Sequence, residues 1–153
     1  MPRNTKNRNG SLLYWSAESW AFLSLRLFLS LHLFTAGLGK FMGENGFAFS
    51  NFHNGTAKWI IGAFESTWLP GFLVAPYAHL IAYVQVIISV LLFLGVKTKY
   101  TLALFALTYV SLAFGQMLRG AEGRDTVQAI AIYLILNCAA LYLVRHNKLE
   151  LKR

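Results

Sequence analysis

Four long apolar stretches take up most of this chain, and they make lipid rather than water its main solvent. They run from Trp20 to Phe41, Tyr77 to Val96, Tyr100 to Met117 and Thr126 to Val144. Each is about the 17–25 residues a helix needs to cross hydrocarbon. Backbone groups in lipid must be satisfied within the segment that carries them, so stretches of this length read as helices. Composition agrees: 56% of the 153 residues are hydrophobic and 13% charged, as expected when most of the exterior is solvated by acyl chains. The predicted fold class is therefore all-α, a polytopic four-transmembrane-helix bundle forming one membrane domain over residues 1–153.

Charge then predicts orientation, because Lys and Arg in short loops stay on the cytoplasmic side. Arg3, Lys6 and Arg8 precede the first stretch, Lys97 and Lys99 join the second to the third, and Arg145, Lys148, Lys152 and Arg153 follow the fourth. In the other two connections Lys40, Lys58, Arg119 and Arg124 are largely offset by Glu44, Glu65, Glu122 and Asp125. Both termini are thus expected in the cytoplasm of a plasma (inner) membrane protein. The net charge of +8 is a topology signal that fits an anionic lipid surface. It argues against nucleic acid as a partner, since the basic residues lie in separate short pieces.

The basic start followed by Leu12, Leu13, Tyr14 and Trp15 has no small-residue cleavage site after it. The first stretch is read as a retained span, with Tyr14, Trp15 and Trp20 at the inner interface. Cys138 is the lone cysteine, so no internal disulfide or Cys-rich metal site is expected; at mid-span it reads as a small packing residue.

The longest connection, Met42 to Pro76, contains the run Ala57–Ser66 with Thr56 as its N-cap and Trp59, Ile60 and Phe64 on one face. A short interfacial helix is predicted there, followed by a turn at Trp68-Leu69-Pro70-Gly71.

Chemistry inside the spans rests on polar residues, which are costly in hydrocarbon and turn toward the bundle interior. Helical spacing aligns Arg26, Ser30, Leu33, Gly37 and Lys40 on one stripe. Lys40 is expected to anchor at the outer interface. Arg26 either snorkels, with Glu18 as a partner two turns away, or takes an internal role. Counting about 1.5 Å of rise per residue from the outer ends puts His32, Gln85, Tyr109 and Asn137 at similar depths, about 12–17 Å down, one from each span. Such a layer is suited to holding the carbonyl oxygens of a quinone, with His32 or Tyr109 able to pass a proton. Its competing reading is hydrogen-bonded glue between helices. Haem is not predicted, because His32 and His79 lie at different heights. No metal is predicted either, since the spans carry no paired carboxylates or His-x-x-x-His spacing. Lys40, His79, Gln116, Arg119 and Arg124 at the outer mouth form either a ring attractive to a small anion or a set of surface anchors.

The order Arg26-Leu27, Gly37, Lys40-Phe41, with Leu94-Gly95-Val96-Lys97-Thr98-Lys99 closing the second span, resembles the signature of DoxX-like membrane proteins. Arg26, Gly37 and Lys40 are the matching motif residues, and the likeness extends over nearly the whole chain. Where that family often has a Glu in the second span, this chain has Gln85, so an acidic proton carrier is missing. The resemblance implies a four-helix membrane bundle linked to quinone-coupled sulfur oxidation. Other members of that family resemble accessory or chaperone-like membrane subunits.

Two expectations follow. The first is a quinone-interacting subunit of a membrane oxidoreductase, with a partner subunit supplying electrons and a tunnel open laterally to lipid ending near His32 and Gln85. The second is a non-catalytic structural or assembly subunit of a larger membrane complex, with a dry, filled bundle. Neither rests on a self-contained catalytic motif, and the sequence leaves the chain's status as an enzyme open.

Overall fold

The computed structural model describes residues 15–44 and 46–151; Arg3, Lys6, Arg8, Leu12, Leu13, Tyr14, Lys152 and Arg153 lie outside them. It has four helices long and apolar enough to cross a membrane. Helix α1 (Ala17–Leu38) continues through a 3-10 turn to Phe41. A two-residue hairpin, β1 (Met42–Gly43) against β2 (Gly46–Phe47), leads to α2 (Phe49–Asn51). A wider π turn, Phe52–Ala57, joins α2 to α3 (Lys58–Phe64). Helices α4 (Gly71–Leu94), α5 (Thr98–Leu118) and α6 (Arg124–Leu143) complete the bundle.

Capping explains the ends. Ser16 caps α1 by accepting a hydrogen bond from the Ser19 amide at 3.3 Å. Gly95 stops α4 with φ 75°, and the Val96 amide donates back to the Leu91 carbonyl at 3.0 Å, a Schellman closure that needs a left-handed residue. Two boundaries and one burial differ from the sequence reading. Helix α4 starts at Gly71, ahead of the predicted Tyr77, and carries Pro76 inside it; Pro70 precedes it as its cap, and neighbouring helices make an internal proline tolerable in a span. The interfacial segment is helical from Phe49, so Thr56 lies within the π turn and caps nothing. Cys138 is exposed on the bundle surface rather than packed, because its position on α6 faces away from the core.

Helix α1 packs most extensively on α4, and α5 on α6; the joins between the two pairs are thinner. Gly37 explains the first pairing, since a Cβ there would lie 2.8 Å from Val86 Cγ2 and 3.2 Å from the Val86 amide nitrogen. Only a residue without a side chain lets the backbones come this close. As predicted from helical spacing, Arg26, Ser30, Leu33 and Gly37 share the buried face of α1. One apolar cluster fills the end where α1 begins and α6 ends, from Phe22 and Leu29 across to Leu92, Leu102 and Phe105. A second gathers Phe41, Phe52 and Ala57 under the long connection against Ala78, Ile81 and Ala82 of α4.

Candidate functional site

The two cations of α1 lead to different surroundings. Arg26, 4% exposed, donates from Nη1 to the Leu149 carbonyl at 2.7 Å and to Asn147 Oδ1 at 3.1 Å. Asn147 Nδ2 in turn donates to Thr98 Oγ1 at 2.9 Å, and the Leu151 amide donates to the Gly95 carbonyl at 3.2 Å. The segment after α6 is thereby bound to α1 and to the α4–α5 turn. Glu18, expected as the partner of Arg26, is exposed and makes no ion pair among the described residues. Gly95 is needed twice over: besides its φ, a Cβ there would come within 2.5 Å of the Leu149 carbonyl oxygen and 2.8 Å of Arg26 Nη1. This end of the bundle is tied shut.

The opposite end is hollow. Lys40 does not anchor at an interface: its Nζ donates to Gln85 Oε1 at 2.6 Å and to the Ala36 carbonyl at 2.8 Å. The helical turn extending α1 to Phe41 carries it inward against α4. Both residues line a cavity of about 400 Å³ together with His32, Tyr109 and Tyr133. His32 stacks on Tyr133 with ring centroids 3.7 Å apart and planes 14° from parallel; Tyr109 lies 6.3 Å from His32 and 5.9 Å from Tyr133. An ammonium has three donors, so Lys40 keeps one beyond those it uses. With Oε1 engaged, the Gln85 amide nitrogen has both of its donors left.

Of the four residues predicted to share a layer, the structure thus brings His32, Gln85 and Tyr109 to one cavity and leaves Asn137 out. Helix α6 presents Thr126, Ala129, Ile130 and Tyr133 to the cavity, and Asn137 is next on that stripe, one turn beyond. It is fully buried, and neither of its side-chain polar atoms has a partner among the described residues. Equal depth brought it into the prediction, but the cavity floor lies above it. Lys40 and Tyr133 were missed as cavity residues. Lys40 had been placed at the boundary, and a tyrosine within an apolar run gives no sign of which way it faces.

Helix α3 roofs the cavity with Trp59, Ile60 and Phe64. Arg119 secures it, its guanidinium carbon 4.7 Å from the centroid of Trp59 while it bonds Gln116 Oε1 and Glu122 Oε2, each at 3.0 Å. The mouth residues therefore form no ring. Lys40 turns to Gln85, Arg119 to its own loop, and Arg124 is exposed. His79 pairs instead with His53, their Nδ1 atoms 2.9 Å apart, and His53 Nε2 lies 3.1 Å from the Tyr83 hydroxyl. His53 had given no signal in the sequence, because its loop showed no periodicity that would aim it at α4.

The comparisons with known proteins agree with this architecture. No curated protein and no solved structure matches the chain. The DoxX family model matches residues 21–116, a segment holding Arg26, His32, Gly37, Lys40, Gln85 and Tyr109 and stopping short of α6. Within it, Arg26 ties down the terminal end, Gly37 sets the α1–α4 contact, and Lys40 with Gln85 walls the cavity. This membrane protein, whose match covers well over half its length, belongs to the DoxX family.

Proposed function

We propose that the hollow end of the bundle binds a quinone ring, and that the protein serves as a quinone-interacting subunit of a membrane oxidoreductase whose partner supplies the electrons. The observation that carries this reading is the cavity itself: an aromatic His32–Tyr133 stack faces a wall where Lys40 and Gln85 hold unused donors. A flat ring with two carbonyl oxygens needs those two things, an aromatic surface and donors at the ring edge. A bound quinone would supply reversible two-electron, two-proton chemistry.

The chain's own residues have separable tasks. Lys40 and Gln85 donate to a carbonyl oxygen, the His32–Tyr133 pair fixes the ring plane, and Tyr109 and His32 carry exchangeable protons on the cavity wall. Gln85 also sets the charge. Where a glutamate would neutralise Lys40, the amide only accepts its hydrogen bond, so the cavity keeps an unpaired cation that favours electron-rich oxygen. The basic connections support an orientation with both termini in the cytoplasm of a plasma membrane protein. An impermeant amine reagent should therefore reach exposed Lys58 in intact cells, and exposed Lys97 and Lys99 only after lysis.

Gentle-detergent purification with extraction of lipophilic cofactors tests the proposal. Quinone should co-purify with the wild type and be strongly depleted from His32→Ala and Gln85→Leu while assembly with partner subunits persists. Undiminished retention in both variants contradicts the site. A stable complex that never holds quinone favours the structural-subunit reading.

A further inference from the structure

A ring in the central cavity raises the question of where the rest of such a molecule lies, and the cavity has two neighbours of opposite character. Toward the long connection it shares Lys40 and Thr56 with an open, mostly polar depression bordered by Ser50, Asn51 and Asn54. Toward the α4–α5 side it shares Ile60, Phe64, Tyr77, Ser111 and Gly115 with a groove of about 210 Å³ whose remaining wall, Leu69, Leu73, Val74 and Phe114, is wholly apolar. Leu73 and Phe114 are exposed on the apolar exterior of the spans. Within the shared wall the Tyr77 hydroxyl and Ser111 Oγ form a hydrogen bond 3.0 Å long across the thin α4–α5 join. On two other sides the helices meet closely: Gly37 brings α1 and α4 into backbone contact, and the His32–Tyr133 stack spans α1 and α6.

Resting on the reading of the cavity as a ring site, we infer that the groove between α4 and α5 seats the hydrocarbon tail of the same ligand, which reaches the cavity from lipid past the Tyr77–Ser111 pair. The two neighbours divide the ligand by polarity. An isoprenoid tail laid in the depression would cover the exposed Asn54 amide, which makes no side-chain hydrogen bond among the described residues, and so desolvate it without a partner, whereas beyond the Tyr77–Ser111 pair, whose hydroxyls bond each other, the groove offers it apolar walls. Lipid tails are as apolar as the groove, so what favours the tail there is close packing and its tether to a held ring, with no gain from leaving water.

The test uses the full chain in nanodiscs and a tailed benzoquinone carrying a photoreactive diazirine on its first tail unit, with a second version carrying an azide on the ring. Tail labelling is expected on Leu73 and Phe114, and ring labelling on His32 or Tyr133. Leu73→Trp, and independently Phe114→Trp, should abolish tail labelling at the groove and should weaken ring labelling by the tailed quinone, but not by a tail-less azidoquinone. A phospholipid with the diazirine in its acyl chain separates the two sources of hydrocarbon: its labelling of the groove should fall when tailed quinone is added and stay constant with the tail-less ring. Ring labelling at His32 or Tyr133 with tail labelling at Asn51 or on the far face of α6 overturns the groove while leaving the cavity reading standing. Groove labelling by the phospholipid that tailed quinone does not reduce overturns it too. Absence of ring labelling from the cavity overturns both.

Discussion

Two cations, Arg26 within α1 and Lys40 in the 3-10 turn that extends it, meet the two ends of the bundle, which treat them oppositely. Arg26 is held through Nη1 by the chain itself, at Asn147 and the Leu149 carbonyl, in a packed end where even a methyl group on Gly95 has no room. Lys40 has a neutral partner, Gln85, beside a cavity of about 400 Å³. Both arrangements avoid an isolated charge in hydrocarbon, which is costly. One holds its cation in a filled joint, where the buried Arg26 Nε has no partner among the described residues and no space beside it for one, and the other leaves donors facing empty volume. Close packing marks a structural joint, and free donors beside empty volume mark a place for a ligand.

Breaking the closed end should have the largest effect. Arg26→Met leaves the Leu149 carbonyl without its side-chain donor and Asn147 Oδ1 with only the Leu149 amide, and loss of a charge-assisted pair of bonds costs about 2–3 kcal/mol. The segment after Asn147 should become sensitive to protease, and the detergent melting temperature should fall. Gly95→Ala comes next, combining about 1–2 kcal/mol of left-handed backbone strain with the clash against Leu149. Because both changes release the same segment, the double variant should be less damaging than the sum, as a double-mutant cycle would show. Gly37→Leu forces α1 from α4 and should cost about 1–3 kcal/mol through overpacking, with loss of ring binding as well, since that contact positions Lys40 against Gln85.

At the hollow end the same kind of change should scarcely touch the fold. Gln85→Leu removes an interhelical hydrogen bond worth about 0.6–2 kcal/mol in a membrane, yet retention of quinone should fall about tenfold. Gln85→Glu should separate stability from binding. It gives Lys40 an ionic partner, so melting should stay level or rise slightly while quinone retention drops. If Gln85→Leu destabilises the protein as much as Arg26→Met, the two ends do not differ in kind.

The sequence made the closed end's α1 face legible and the joint itself illegible. Helical periodicity placed Arg26, Ser30, Leu33 and Gly37 on one buried stripe, because 3.6 residues per turn leaves little freedom once a span is recognised. The partner of Arg26 lies in an irregular segment after α6, where no period says what folds back. At the hollow end, depth counting found His32, Gln85 and Tyr109. Rise per residue gives height alone, however, so it also admitted Asn137, one turn below the floor, and missed Tyr133, whose stacking on His32 depends on azimuth. Lys40 was misplaced for a related reason: the 3-10 turn that extends α1 is set by packing of Phe41 against Phe52 and Tyr83, a tertiary contact across the long connection.

Photolabelling the protein in nanodiscs with a ring-azido quinone, and mapping the modified peptides, decides whether the two ends differ because one is built to receive a ligand. Label is expected on His32 of α1 or Tyr133 of α6, suppressed by excess unlabelled quinone and strongly reduced in Gln85→Leu. Label confined to lipid-facing positions such as Leu31 and Ile135, or insensitive to competitor, would contradict that difference between the ends.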